Sequence, residues 1–447
     1  MRIHHRLMLA FGIFILCAVS LFALVGFNNA TTQAAAPAAS TASAPQASNT
    51  CIPYWSAETT QNVGPNDNAL TGVAVVSPTD VWAVGFYTDT NGVAQTMIQH
   101  YNGTAWSIVS SPSPGLGGSY LEAVTSRDAS DLWAVGYYYP TAGGVPSTLV
   151  MHSNGGAWTL VNSDNHGSVE NYLYGVTPVT ATDAWAVGYY ANTAGLYRTL
   201  TLHYNGTNWA YVSSPSPTFG GAGLRGVVAV SANEVWAAGV QADISLVYRM
   251  YVLRWNGSAW SVSSSTPNTG GCVLTAISKA EPGNLWAVGG CQTTAYQTAI
   301  IHWNGSAWST VASPSPGTGD NLLGGVASSP TGTEAYAVGG YNNTGGPTQA
   351  LTLYWNGSAW SLIGSDNPGT TSNALVAVSH QPTMANTLWA VGSQKSGGPA
   401  QTLAEKYGFQ CETPTPVASS PTSTATSTSV ATSTPTSAAS NTSVPAT

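Results

Sequence analysis

Asp80-Val81-Trp82-Ala83-Val84-Gly85 is the stretch on which the fold turns, because it recurs throughout the chain. It returns as Asp131–Gly136 (DLWAVG), Asp183–Gly188 (DAWAVG), Glu234–Gly239 (EVWAAG), Asn284–Gly289 (NLWAVG), Glu334–Gly339 (EAYAVG) and Thr387–Gly392 (TLWAVG). The aromatic stands at 82, 133, 185, 236, 286, 336 and 389, at intervals of 50 to 53 residues. Self-similarity at such a period marks an architecture in which each copy is one supersecondary unit.

Each copy resolves into four strand-like pieces. The first carries Leu-x-(Gly/Ala)-(Val/Ile), as at Leu70–Val73 and Leu121–Val124, and the second is the WAVG phrase. The third is a short run such as Thr96–Tyr101, followed by Asn102-Gly103, a pair suited to a hairpin turn. The fourth opens at Trp106 and ends in Ser-Pro-Ser-Pro, where proline stops a strand. Four antiparallel strands in about 50 residues make a propeller blade. The predicted fold is therefore all-β, a seven-bladed β-propeller of four-stranded antiparallel blades over residues 51–411.

Fourth strands open at Trp106, Trp158, Trp209, Trp260, Trp308 and Trp360, and none follows the seventh third strand at Gln401–Tyr407. Trp55 lies 15 residues ahead of Leu70, the interval that separates Trp106 from Leu121. The N-terminal strand is thus expected to complete the last blade. Cysteine placement points the same way. Cys51 and Cys411 fall where other repeats have Asn-Gly, so a Cys51–Cys411 disulfide would replace the missing turn. Cys272 and Cys291 sit at one end of neighbouring strands in repeat five, where a second bridge is expected. A cysteine metal site lacks the paired C-x-x-C spacing it would want.

Composition bounds the rest. Of 447 residues only 6% are charged, while Trp (16), Tyr (21) and Gly (48) are abundant, which favours strands and tight turns. The formal net charge of −8 is sparse and acidic, and argues against nucleic acid held through phosphates. Residues 1–30 read as a signal peptide or N-terminal anchor: Arg2, His4, His5 and Arg6 precede an apolar run from Leu7 to Phe27. Cleavage is expected after Ala30 or within Ala34–Ala36, with a membrane anchor at 7–27 as the alternative. Export permits disulfides. Residues 31–50 and 412–447, rich in Ser, Thr, Pro and Ala, are expected to be a disordered linker and tail. The expected location is outside the cell or on its surface, and the expected state a monomer.

The repeats resemble kelch-type blades, which carry a Gly pair after the second strand and a Tyr and Trp around the outer turn. Gly289-Gly290 and Gly339-Gly340 match the pair, and Tyr101 with Trp106 and Tyr204 with Trp209 match the aromatics. The Asn-Gly-x-x-Trp turn is also similar to the Asp-box of sialidase-like propellers, without its Asp. The resemblance implies architecture and little chemistry, because such propellers host oxidases, glycosidases and pure binding proteins.

Most repeated residues read as structural. The tryptophans recur in fixed register, as packing between blades requires. The ring of His100, His152, His203 and His302 lies beside the outer hairpins, too widely spread for one metal. The acids that open the second strands (Asp80, Asp131, Asp183, Glu234, Glu334) are expected to cap turns. Five Asn-Gly-(Ser/Thr) triplets fit the N-glycosylation pattern and are already explained by turn geometry. The variable loops after the second and fourth strands share one face, where function is expected. There, two residues ahead of the first-strand Leu, stand Asn68, Asn171, Asn321 and Asn373, with Asp67, Glu170 and Asp320 before three of them. These oxygens would ring the channel mouth and could take a polyol or a calcium ion; no other cofactor is expected. Tyr138, Tyr190 and Tyr341 follow second strands onto that face as a platform for sugar or peptide.

These features predict an extracellular binding or scaffold propeller that recognises glycan or protein through its loop face. No catalytic residues can be named. The alternative is a glycan-active hydrolase or lyase with acids at the channel mouth.

Overall fold

A computed structural model describes residues 51–217, 220–280, 283–329, 331–380 and 387–411. The expected export segment, linker and tail lie outside the described residues. Among those described, no helix is long and apolar enough to cross a membrane. Ile52–Gln410 belongs to one compact unit, and Cys51 and Cys411, joined by a disulfide, belong to another.

The chain is all-β, and the repeats fold as four-stranded antiparallel sheets. Repeats one to five each form a separate sheet whose strands lie in sequence order. Their first strands are Asn68–Ser77, Gly118–Asp128, Glu170–Thr180, Ala222–Ser231 and Cys272–Lys279. Repeats six and seven, whose first strands are Asn321–Ser328 and Ser372–His380, are counted in one nine-stranded sheet. Two small parallel contacts join them: Thr348 with Ser372, and Tyr54 and Trp55 with Gly364 and Ser365. The N-terminal strand Cys51–Glu58 lies hydrogen-bonded beside the last strand, Gln401–Cys411.

Every first strand is bulged. The register against the second strand slips at the residue after the Leu, between Leu70 and Gly72 in repeat one and between Leu121 and Ala123 in repeat two. The slip explains the glycine of the WAVG phrase. A Cβ at Gly85 would stand 2.0 Å from the Ala69 carbonyl oxygen, and one at Gly188 would stand 1.9 Å from that of Tyr172. Only a residue without a side chain fits beneath the bulge.

The outer hairpin differs from a two-residue Asn-Gly turn. Gly103 has φ of 96°, but Asn102 does not share the left-handed region. Instead its side-chain oxygen accepts from Thr104 N, Thr104 Oγ1 and Ala105 N, and its own amide donates to the Ala105 carbonyl. Asn205, Asn256, Asn304 and Asn356 accept in the same way.

Packing between repeats is aromatic and serial. The tryptophan of each fourth strand meets, edge to face, the second-strand aromatic of the repeat before it. Trp158 packs on Trp82, Trp209 on Trp133, Trp260 on Trp185, Trp308 on Trp236 and Trp360 on Trp286, with centroids 5.2–5.8 Å apart. Trp106 packs on Trp389 at 5.1 Å, and Trp55 on Tyr336 at 6.4 Å. The first strands touch in the order of the repeats, and that of repeat seven touches that of repeat one.

The acids that open the second strands do more than cap turns. Asp80, Asp131 and Asp183 lie 2.8–2.9 Å from the Nε2 of His100, His152 and His203. Each imidazole in turn lies over the repeat's own tryptophan, at 4.2–4.4 Å between centroids. Repeat four builds the same arrangement from Glu234, Arg254 and Trp236, and repeat six from Glu334, Tyr354 and Tyr336. The turn-capping expectation missed these pairs because the partner lies on the neighbouring third strand, brought close by strand pairing and not by proximity in sequence.

Both expected disulfides are present, Cys51–Cys411 and Cys272–Cys291. The second joins residues directly opposite each other on the first and second strands of repeat five.

Candidate functional site

The asparagines expected at the loop face are buried and fully engaged with backbone. Asn321 Oδ1 accepts from Gly317 N at 2.7 Å, while its Nδ2 donates to the carbonyls of Gly317 and Gly319. Asn171 and Asn373 clamp Gly167 and Gly369 through the same pair of bonds. Asn68 accepts from Val63 N and donates to the Asn66 carbonyl. Each side chain takes the polar groups of the loop that enters its strand. In repeat two Ser119 does this for Gly115, and in repeat five the position is Cys272 of the disulfide.

The acids beside them also bind protein. Asp67 accepts from Ala400 N at 2.7 Å and Asp320 from Tyr296 N at 2.9 Å, tying each loop to the preceding repeat's third strand. Asp67 also borders an open, shallow groove with Asn66, Asn91 and Pro399. Glu170 takes a hydrogen bond with Tyr197. The three acids stand in repeats one, three and six. Among the described residues, no three His, Cys, Asp or Glu side chains gather as metal ligands. Tyr138, Tyr190 and Tyr341 are half-buried and pack against the cores between repeats. Each lies directly across from the asparagine or serine position, at Ser119, Asn171 and Asn321.

A different set of residues converges. Strand side chains alternate between faces, so the tyrosines on either side of Tyr138 point the other way. Tyr137 stacks on Tyr120 at 5.0 Å and meets Tyr172 edge to face at 4.7 Å. Tyr189 lies 4.8 Å from Tyr172 and 5.6 Å from Tyr174, and its hydroxyl is 3.4 Å from that of Tyr174. Tyr139 closes on Tyr120 and hydrogen-bonds Tyr172. These rings come from repeats two and three. The positions of Tyr120 and Tyr172 are Ala69, Gly223, Val273, Leu322 and Ala374 in the other repeats.

The bulged first-strand residues complete the cluster. In chain order they are Thr71, Glu122, Tyr174, Arg225, Thr275, Gly324 and Val376. Thr71 and Thr275 donate to the carbonyls of Leu121 and Leu323 on the next first strand, a structural use. Glu122, Tyr174 and Arg225 stand on three consecutive strands, and the Arg225 guanidinium lies 4.0 Å from the centroid of the Tyr174 ring. All three are half-buried. Burial pushes the Glu122 carboxyl up to about 7 against the pull of Arg225. Burial likewise pushes the Tyr174 hydroxyl up to about 12 and holds Tyr137 and Tyr189 well above the ordinary range, so the tyrosines are neutral donors and acceptors. An acid that titrates near neutrality, a guanidinium and several phenols thus meet at one place in repeats two to four.

Sequence reasoning passed over this cluster, although a signal was present. Aligned by the first-strand Leu, repeats two to four alone put Glu, Tyr and Arg at one position. The bulge at that position is invisible in a strict period of two.

Comparison with known proteins gives shape alone. No family model and no curated protein matches the chain. Solved structures it resembles include the β-propeller domain of the trilobed protease from Pyrococcus furiosus (8% identity, TM-score 0.46, covering 76% of this chain and 96% of that one). A polysaccharide lyase, ulvan lyase, aligns at 11% identity and TM-score 0.49 over 76% and 97%. YCF48 bound to D1 peptide aligns at 14% and 0.44 over 79% and 97%.

Proposed function

We propose that this chain is a secreted seven-bladed β-propeller, closed by its own N-terminal strand, that binds glycan at the tyrosine cluster of repeats two to four. The closed ring is supported by the serial tryptophan contacts, which run through all seven repeats and return from Trp106 to Trp389. Trp55 stands against Tyr407 at 5.5 Å, the separation of Tyr101 and Trp106 in a complete repeat. Secretion is supported by the two disulfides and by the charged-then-apolar N-terminus. The kelch-like reading of the repeat belongs with this architecture.

One observation carries the binding reading: Glu122, Tyr174 and Arg225 break the repeat at one equivalent position, beside tyrosines that break it too. Packing alone asks for the same residue in every repeat, as the WAVG phrase illustrates. Aromatic faces with convergent polar groups suit sugar rings. Glycan-array binding by the purified chain, repeated with Tyr174→Ala, tests the idea. Selective binding that falls tenfold or more in the variant supports it. Failure to bind any glycan would overturn it and leave a protein partner.

Glu122 also favours a second reading, that of a glycan-active enzyme, since a carboxyl that titrates near neutrality suits a general acid. Glycoside hydrolysis wants a second carboxyl about 5 to 9 Å away. Asp67, Glu170 and Asp320 are already engaged with protein groups, which is why binding ranks first. Release of new sugar ends from a bound glycan, lost in Glu122→Gln, would reverse the ranking.

A further inference from the structure

The outer seams between consecutive repeats are built in two ways. After the fourth strand of repeat two the chain reads Asn162-Ser163-Asp164-Asn165, and after that of repeat six Gly364-Ser365-Asp366-Asn367. Both segments add in parallel to the outer edge of a neighbouring strand. Ser163 lies beside Trp209 of repeat three, and Gly364-Ser365 beside Tyr54-Trp55 of the N-terminal strand. Asp164 N donates to the Trp209 carbonyl at 3.3 Å, and its Oδ2 accepts from Tyr211 N at 2.9 Å. Asp366 treats the Trp55 carbonyl and the Ala57 amide in the same way, at 3.0 and 2.8 Å. One aspartate thus satisfies an acceptor and a donor that an edge strand otherwise presents to any passing chain.

Repeats one, three and five have Pro112, Pro215 and Pro314 at that position. Each stands between two residues held by the third-strand Thr, as Asp164 stands between Ser163 and Asn165. Proline has neither an amide hydrogen nor a carboxylate to offer. Among the described residues, nothing from repeat three bonds the Trp260 carbonyl or the Val262 amide, the counterparts of the Trp209 carbonyl and Tyr211 amide. An open groove of about 460 Å³ lies there instead, with Val212, Ser214 and Pro215 on one side and Trp255, Ala259 and Trp260 on the other. Val262 is exposed, as are Leu160 and Leu362 at the same place in the strands that face Pro112 and Pro314.

We propose that the seam between repeats three and four, with its counterparts at Pro112 and Pro314, captures an extended peptide of a partner protein through a Ser-Asp pair. The chemistry of the occupant is read from the two segments of this chain that already sit on equivalent edges. The peptide's Asp amide donates to the Trp260 carbonyl, and its carboxylate accepts from the Val262 amide. A flanking apolar side chain lies against Trp255 and Trp260. In such strand addition main-chain bonds supply affinity and side chains supply selectivity. The groove uses none of the residues of the tyrosine cluster, so the inference is independent of glycan binding.

Calorimetry of the full chain with the end-blocked peptide Val-Asn-Ser-Asp-Asn, the sequence of residues 161–165, tests the inference. The peptide should bind saturably. Replacing its Asp by Ala, or methylating the Asp amide nitrogen, should weaken binding at least tenfold. Pro112→Asp, Pro215→Asp and Pro314→Asp combined should close the three seams from within and abolish binding, with the melting temperature reporting that the variant folds. The two altered peptides keep the test decisive if it does not. No saturable binding, equal binding of parent and altered peptides, or undiminished binding by the folded triple variant would each overturn the inference. Self-association of the native chain in sedimentation, lost in the triple variant, would overturn it in favour of a second copy seated on these edges.

Discussion

A buried carboxyl in repeat seven shows how far an environment can move one side chain. Glu405 sits wholly inside repeat seven, with Ser365 donating to its Oε2 at 2.7 Å. Burial raises it to about 8, with Asp366 adding to the rise and Ser365 opposing it. Because the folded pKa lies above the unfolded one, the stabilising proton is fully in place below about pH 4.5. Stability is then lost progressively as pH rises toward 8. Melting temperatures measured from pH 4.5 to 8.5 should fall across that range, by the equivalent of a few kcal/mol, and Glu405→Gln should make the fall shallower, leaving the part due to Glu122. A native curve already flat would contradict the assignment. Asp131 is a buried carboxyl placed to accept from two side chains. It is buried between His152 and Arg127, so Asp131→Ala should cost about 1–3 kcal/mol in denaturant melts, more than the same change at the exposed Asp128.

Strands and loops owe their registration to side chains that replace missing backbone partners. Thr96, Thr199 and Thr298 occupy one third-strand position, and each hydroxyl bonds both serines of a Ser-Pro-Ser-Pro segment. The prolines end the strand, and the serines fasten it to its neighbour. On the opposite edge Asn321 holds the loop at Gly317 and Gly319. Asn321→Ala would leave the Gly317 amide and carbonyl without their partner in a buried setting, a loss of about 1–3 kcal/mol. Hydrogen exchange should show faster opening at 315–321, with the WAVG strand of repeat six little changed. Uniform acceleration across the repeat would assign Asn321 to the core instead of the loop.

The N-terminal strand matters to the whole molecule because it supplies what repeat seven lacks. Trp55 is fully buried against Tyr336 and Tyr407. Asp366 holds the strand by accepting from Tyr54 and from the Ala57 amide. Trp55→Ala should therefore cost about 3–5 kcal/mol, as loss of a buried aromatic does. Deleting residues 51–63 should lower the melting temperature further still. Cys51→Ser with Cys411→Ser removes a bridge spanning 360 residues, and should cost about 2–5 kcal/mol on the chain-entropy view. Unchanged melting in the deletion would count against the proposed closure of the ring by the N-terminal strand.

Repetition made the architecture legible in the sequence. Fifty-residue periodicity, the count of fourth-strand tryptophans and the cysteine positions each act through local pattern or chain connectivity, which a sequence displays directly. The places of the outer turns and the aromatic packing positions were readable for the same reason, though not the Asn-capped form of the turn. The cluster at Glu122, Tyr174 and Arg225 was not, since it depends on which way a bulged residue faces and on three strands about 50 residues apart meeting side by side. Nor does the sequence mark which face of a strand is already taken by the next repeat, so it does not show that Tyr137 and Tyr139 meet the cluster while Tyr138 packs against the core between repeats. Chain pattern alone determined the strands, their grouping in fours and the disulfide partners. Only the tertiary packing decided which side chains meet, and with that the burial that sets the proton on Glu122.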